Sequence, residues 1–260
     1  MIPLRGGPGA WEADPDPRYW NMMGPWGGWT AGLMLEAVLA EPGRNGSPVS
    51  MTMHFMAGFT EAPVQIATRL VKGGRSLSFW SSEVSQNGVA VAHAIVTLAV
   101  RPQTDVFRDK EMPLVAAPED VATVQRPPGE NMGPRFFQMC ETKGIKNYPG
   151  LSGEAGDTQS IAWVRDVEHR PLDYVMVAML ADLYPPRIFL RRPARAPATT
   201  VSMTVYFHGS DEELGAVGDD FILAEAEGRH FNAGTFDHHA ALWRRDGVLL
   251  ATSEQLCWFK

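Results

Sequence analysis

Polar and apolar residues alternate from 50 to 55, Ser-Met-Thr-Met-His-Phe, and again from 202 to 207, Ser-Met-Thr-Val-Tyr-Phe. In the first stretch Met51, Met53 and Phe55 share one side, and Ser50, Thr52 and His54 the other. That is the period of a strand half buried on one face. Two near-copies about 150 positions apart mark an internal repeat, and the flanking sequence supports it. The first copy is followed by "APVQIATRLV" (62–71) and a long alternating stretch at 73–100, the second by "DDFILAEAEG" (219–228) and one at 228–259. Each copy therefore predicts four strands. The last two of each are joined at Asn87-Gly88 or Asp246-Gly247, dipeptides typical of two-residue hairpin turns. Gly74-Arg75 and Gly228-Arg229 open the third strand each time.

One helix precedes each copy. The segment 28–42 is apolar all round and ends before Pro42; the segment 172–186 starts at Asp173, a good N-cap, and stops at Pro185-Pro186. A helix without a polar face has to be wrapped by something, and a curled antiparallel sheet serves. The chain thus divides into an N-terminal unit, 1–105, a Pro-rich crossover linker, 106–132, and a C-terminal unit, 133–260. The second unit begins near Phe136-Phe137 and includes an early strand at 159–167, with 143–158, rich in Gly and acids, as loop.

Composition narrows the setting. Apolar residues make up 45% of the 260 positions and charged ones 20%, enough for a sizeable core. A net charge of −7 offers no global field for nucleic acid. The expectation is a cytoplasmic protein: no leader-like apolar stretch opens the chain, and no run is long enough to cross a membrane. Cys140 and Cys257 are too few for a disulfide framework or a zinc site. His238-His239 is no metal pair, because adjacent strand residues face opposite ways. Neither metal nor cofactor is expected.

Strand, apolar helix and four-stranded sheet, written twice, resembles the double hot-dog fold of type II (TesB-like) acyl-CoA thioesterases, an α+β class. The resemblance covers about 20–100 and 133–260 and is carried by "GPWGGWTAGLML" (24–35), "KGGRS" (72–76), "MLADLYPP" (179–186), "TTVSMTVYFH" (199–208) and "DGVLLATSEQLCWF" (246–259). It implies hydrolysis of an acyl-CoA to free acid and CoA, by a water held between an Asp at the second helix end, a hydroxyl residue opening the next strand and a Gln in the last strand. Here these are Asp182, Thr200 and Gln255. Read as residues alone, Asp182 lies on an apolar stripe, costly for a carboxylate. Gln255 alternates with Ala251, Ser253 and Cys257 and so points inward. Alternation places Thr200 on the polar side with Ser202 and Thr204, unless the strand bends at its start, and Thr199 competes for the role.

Aligning the two hairpin turns puts Val96 where Gln255 stands, and the counterpart of Asp182 at Ala37 or Leu39, so only the second half carries the polar set. Gly27 and Gly28, opening the first helix, are candidate amide donors to an oxyanion. Arg75, Arg187, Arg191 and Arg192, the last three in a cluster with Arg195, are candidate contacts for the anionic CoA. Met and Trp residues around 22–34 and 51–56 are candidates for an acyl tunnel. Pairing of sheet edges would give a homo-oligomer, a dimer of double hot-dogs. Two other readings fit the fold: a non-catalytic acyl-CoA-binding protein, and an enoyl-CoA hydratase or dehydratase.

Overall fold

The computed structural model describes residues 2–21, 24–124, 134–148, 157–192 and 197–260. Met22, Met23, the linker from 125 on, residues 149–156 of the 143–158 loop and Arg195 lie outside the described residues.

The first half runs β1 (Arg5–Gly7), β2 (Ala10–Ala13), α1 (Gly27–Leu39), β3 (Ser47–Phe55), β4 (Val64–Gly73), β5 (Leu77–Gln86) and β6 (Val89–Ala99). The second runs β7 (Cys140–Lys146), β8 (Ser160–Asp166), α2 (Tyr174–Leu180), α3 (Ile188–Arg191), β9 (Ala198–Phe207) and α4 (Asp211–Gly215). It continues through β10 (Ile222–Glu227), β11 (Phe231–Asn232), β12 (Thr235–Trp243) and β13 (Leu249–Phe259). The strands join one antiparallel sheet in the order β1-β2-β4-β5-β6-β3-β9-β13-β12-β10-β8-β7, with β11 paired to β12. Read inward from either end, the two halves have the same order.

At the centre the repeated hexads meet. In the antiparallel β3–β9 pair Thr52 stands opposite Thr204, its own counterpart, and Met53 opposite Met203. The Thr204 hydroxyl donates to the Thr52 hydroxyl at 3.1 Å. A local two-fold axis passes through this pair, so the repeat is the seam of the molecule. Arg101, just past β6, clamps the seam by donating to the carbonyls of Pro48, Phe207 and His208.

α1 is buried on all sides except at Gly27, Glu36 and Leu39. It crosses α2 closely because Gly28 and Gly32, one turn apart, leave room for Met179. A Cβ on Gly28 would lie 2.4 Å from the Met179 carbonyl, and one on Gly32 2.7 Å from Met179 Cγ. Real Cβ atoms do not approach so near, so glycine sets the helix spacing.

Four sequence expectations need correction. β1 and β2 extend the first half beyond the strands expected there, and β7 claims residues 143–146 from the expected loop. The hairpin at Asp246-Gly247 spans Arg244 to Val248, closed by the Arg244 amide on the Val248 carbonyl; of the pair only Gly247 has positive φ. Asn87-Gly88, where both φ are positive, is the true two-residue turn. Finally, α2 stops at Leu180, well before Pro185: the amides of Asp182 and Leu183 reach back only three residues, to Met179 and Leu180. The chain tightens there, and Asp182 lies just beyond the helix rather than on it.

Candidate functional site

The segment after α2 is held by its backbone. Ser253 of β13 donates its hydroxyl to the Ala181 carbonyl at 3.0 Å, and the Trp26 indole donates to the Asp182 carbonyl at 2.8 Å. Tyr184 donates to the Ala224 carbonyl of β10. Two side chains from other elements and one from the segment itself thus place the Asp182 carboxylate, which faces β13 and the start of α1.

There it joins the other two predicted residues. Thr200 donates to Gln255 Oε1 at 2.8 Å, and Gln255 Nε2 donates to Asp182 Oδ1 at 2.9 Å. The donors run one way, which fixes the amide orientation of Gln255. Gln255 is 5% exposed, so its amide needs both partners. Thr200 reaches this face because β9 bulges. Its register with β13 passes from Ser202–Leu256 straight to Thr200–Cys257, leaving Val201 unpaired and exposed. One extra residue reverses the alternation beyond it. Thr200 therefore turns inward, and Thr199 is exposed with its hydroxyl directed at the Thr200 carbonyl.

Burial pushes the Asp182 pKa up to about 7, against the hydrogen bond from Gln255, the Gly28 amide and Trp26, all of which lower it. Asp182 Oδ2 lies in front of Gly27: a Cβ there would be 2.7 Å from it and 3.1 Å from Phe55 Cζ. The start of α1 is thus open toward the carboxylate, with no side-chain cap at Trp26 to fill it. Of the two glycines expected to offer amides to an oxyanion, Gly28 directs its N–H at Asp182 itself.

Sequence reasoning missed Phe55, Ser253 and His238, and offered Trp26 only among the candidates for an acyl tunnel. Ser253, Gln255 and Cys257 alternate on the buried face of β13, a pattern that could have pointed to Ser253 as a partner. His238, paired across from Gln255, is buried with its Nε2 unpartnered; burial keeps its pKa far below the usual imidazole range. His239 faces the other way, toward Glu254 at 2.7 Å.

The arginines separate. Arg187 is 0% exposed, so it does not belong to a surface phosphate cradle. Its guanidinium donates to the Pro185 and Thr158 carbonyls and to the Ser160 hydroxyl, and burial lowers its pKa to about 10. It supports the loop behind Asp182. Arg75 is exposed at the β4–β5 turn, in the first half. Arg191 and Arg192 are exposed on α3 and at its end.

Two family descriptions match the chain: the acyl-CoA thioesterase N-terminal domain over residues 16–99, and the acyl-CoA thioesterase C-terminal domain over 118–259. No curated protein matches the sequence. Among solved structures, a conserved protein of unknown function with a hot-dog fold from Alicyclobacillus acidocaldarius is 31% identical. The match covers 99% of this chain and 96% of that one, with a TM-score of 0.93. The tesB protein of Mycobacterium avium subs paratuberculosis (19% identity, 99% and 96% covered, TM-score 0.78) shares the fold. So does the acyl-CoA thioesterase II TesB2 of Mycobacterium marinum (16%, 99% and 96%, TM-score 0.75). With both of its halves matched by the paired domains and its two-fold sheet shared with these structures, the chain belongs to the acyl-CoA thioesterase family and has the double hot-dog fold.

Proposed function

We propose that this protein hydrolyses acyl-CoA thioesters with a water activated by Asp182 and positioned by Gln255 and Thr200. The hydrogen-bonded chain Thr200–Gln255–Asp182, ending on a carboxylate whose pKa is about 7, carries the reading. A general base is most effective when its pKa lies near the working pH. Gln255 donates to Oδ1, and the proton is assigned to Oδ2, which faces Gly27 with the Gly28 amide close by.

As that proton passes to Oδ2, the water oxygen bonds to the thioester carbonyl carbon, and the carbonyl oxygen takes up the electron pair. The Gly27 amide at the start of α1 is the donor nearest to hand for this oxyanion, aided by the helix dipole. Collapse of the adduct breaks the C–S bond and releases CoA thiolate. Thiols have pKa values near roughly 8.5, so the proton held by Asp182 suffices to neutralise it. Proximity of the three groups supplies orientation as well as basicity.

The hydratase alternative asks for a basic imidazole beside the carboxylate. His238, buried and held neutral, is a poor candidate. The test is release of CoA from short-, medium- and long-chain acyl-CoAs by wild type and Asp182→Asn, with enoyl-CoA absorbance followed in parallel. Thiol release that the variant abolishes supports the proposal. Loss of enoyl absorbance without thiol release would favour the hydratase, and binding without turnover a non-catalytic protein.

A further inference from the structure

Beyond the end of β13 lies a pocket of about 720 Å³. Its walls include Arg191, Arg192, Arg229, Phe231, Phe259 and Lys260 and, among the described residues, no Asp or Glu. On a chain of net charge −7 such a concentration of cations is a local exception. Arg229 is answered by Glu227 at 3.0 Å and Glu254 at 3.5 Å, and Arg191 lies within electrostatic reach of Asp157. Among the described residues Arg192 and Lys260 form no ion pair.

The two α3 arginines are held on an aromatic shelf. The Arg191 guanidinium lies 5.6 Å from the centroid of Phe231, which stacks at 5.5 Å on Phe236; Arg192 lies 5.0 Å from that of Phe259. Guanidinium groups placed on rings keep their N–H edges free for an anion. The neighbouring loop is also fixed, because Asp237 accepts from the amides of Arg229 and His230, both at 2.8 Å.

The pocket stands at a useful distance from the proposed reacting centre. Phe259 follows Gln255 by four residues on the same face of β13, about 13 Å along an extended strand. Along β9 the half-exposed Thr200 and Ala198 lead the same way. A thioester at Asp182 with its arm laid along this edge would bring a remote anionic group to the pocket.

The geometry points to this pocket as the seat of the phosphorylated nucleotide of CoA, with Arg191, Arg192 and Lys260 meeting phosphates. This rests on the thioesterase reading and deepens it: the enzyme would select the nucleotide-bearing thioester over one carried by phosphopantetheine alone, as on a carrier protein.

Two measurements separate the inference from the reading beneath it. Calorimetric titration with 3′-phosphoadenosine 5′-diphosphate needs no turnover. Wild type binds it, and Arg191→Glu/Arg192→Glu weakens binding at least about tenfold, as loss of charge-assisted hydrogen bonds implies, with an unchanged melting curve. Should that double variant fail to fold, Arg192→Ala reports the same loss on a smaller scale. In wild type, kcat/KM for an acyl-CoA exceeds that for the same acyl group on 4′-phosphopantetheine by at least about tenfold. No nucleotide binding, binding indifferent to the arginines, or equal kcat/KM for the two thioesters would overturn the assignment. A protein that binds the nucleotide through these arginines yet hydrolyses no thioester would keep the pocket and lose the hydrolase.

Discussion

Glu41 and Asp182 stand at the same position relative to the ends of their helices. Each follows a cap alanine, in Leu39-Ala40-Glu41 and Leu180-Ala181-Asp182. This alignment of the helix ends replaces the expected counterparts, Ala37 and Leu39. Their fates differ. Glu41 Oε1 is enclosed by the Gly9 amide, the Trp11 indole and the Thr68 hydroxyl, all from β2, its turn and β4. Asp182 takes Gln255 on Oδ1, with the Gly28 amide directed at the carboxylate and Oδ2 facing Gly27 at the start of α1. The remaining positions diverge in the same sense. β3 bulges at Val49 as β9 does at Val201, but the residue turned inward is Pro48 in place of Thr200. Val96 pairs with Met51 just as Gln255 pairs with Met203. One scaffold thus presents two equivalent helix ends: at one, three donors converge on a single oxygen of Glu41, and at the other Asp182 joins the polar chain through Gln255 to Thr200. Donor supply, rather than fold, separates a structural acid from a candidate base.

The comparison can be broken most directly at the two acids. Asp182→Asn should lower kcat by at least about 10²-fold, measured as CoA release, while the protein stays folded. Gln255→Val, which writes Val96 into the second half, should cost on the order of 10–10²-fold in kcat, because Asp182 and Thr200 both lose their partner. Glu41→Ala should do the reverse. It strands three donors in a buried setting, so stability falls by roughly 2–4 kcal/mol in denaturant titrations, while kcat per folded molecule is unchanged. A loss of kcat equal to that of Asp182→Asn would show that the halves are not divided as described.

A subtler effect concerns stability and pH. The folded pKa of Asp182, about 7, is raised above its ordinary 3.8, so the native state holds this proton more tightly than the unfolded chain. Its contribution is therefore full below the unfolded value and is lost as pH rises through about 7. Replacing it with Asn should then raise the melting temperature at pH 8 and change it little at pH 4. Thermal melts of both proteins across that range check the sign. A variant less stable at pH 8 would mean that the carboxylate is not strained by burial.

Much of this was legible in the sequence. The hexads, the apolar helices and the Asn87-Gly88 turn carry their own periodicity or turn chemistry, and local rules read them correctly. The pairing of the hexads with each other was not legible, since alternation gives a strand's faces but not its partner. Thr200 shows the same limit. Counting by twos placed it outside, and only the pairing with β13 reveals the bulge at Val201 that turns it in. Arg187 looked like surface charge because it sits among other arginines. Its burial follows from tertiary packing, with Thr158 and Ser160 supplying acceptors from far along the chain. Glu41 was overlooked because its partners come from Gly9 and Trp11, in a short hairpin too Gly-rich to announce itself.

The dependence of kcat/KM on pH in wild type and in Gln255→Leu tests the assignment of Asp182 most directly, since it reports the ionisation of the free enzyme's base. The account predicts an ascending limb with its midpoint near pH 7 in wild type. In the variant the midpoint moves upward, because the Gln255 hydrogen bond that favours the ionised carboxylate is gone. A profile flat from pH 5 to 9, or a midpoint that Gln255→Leu leaves in place, would contradict it.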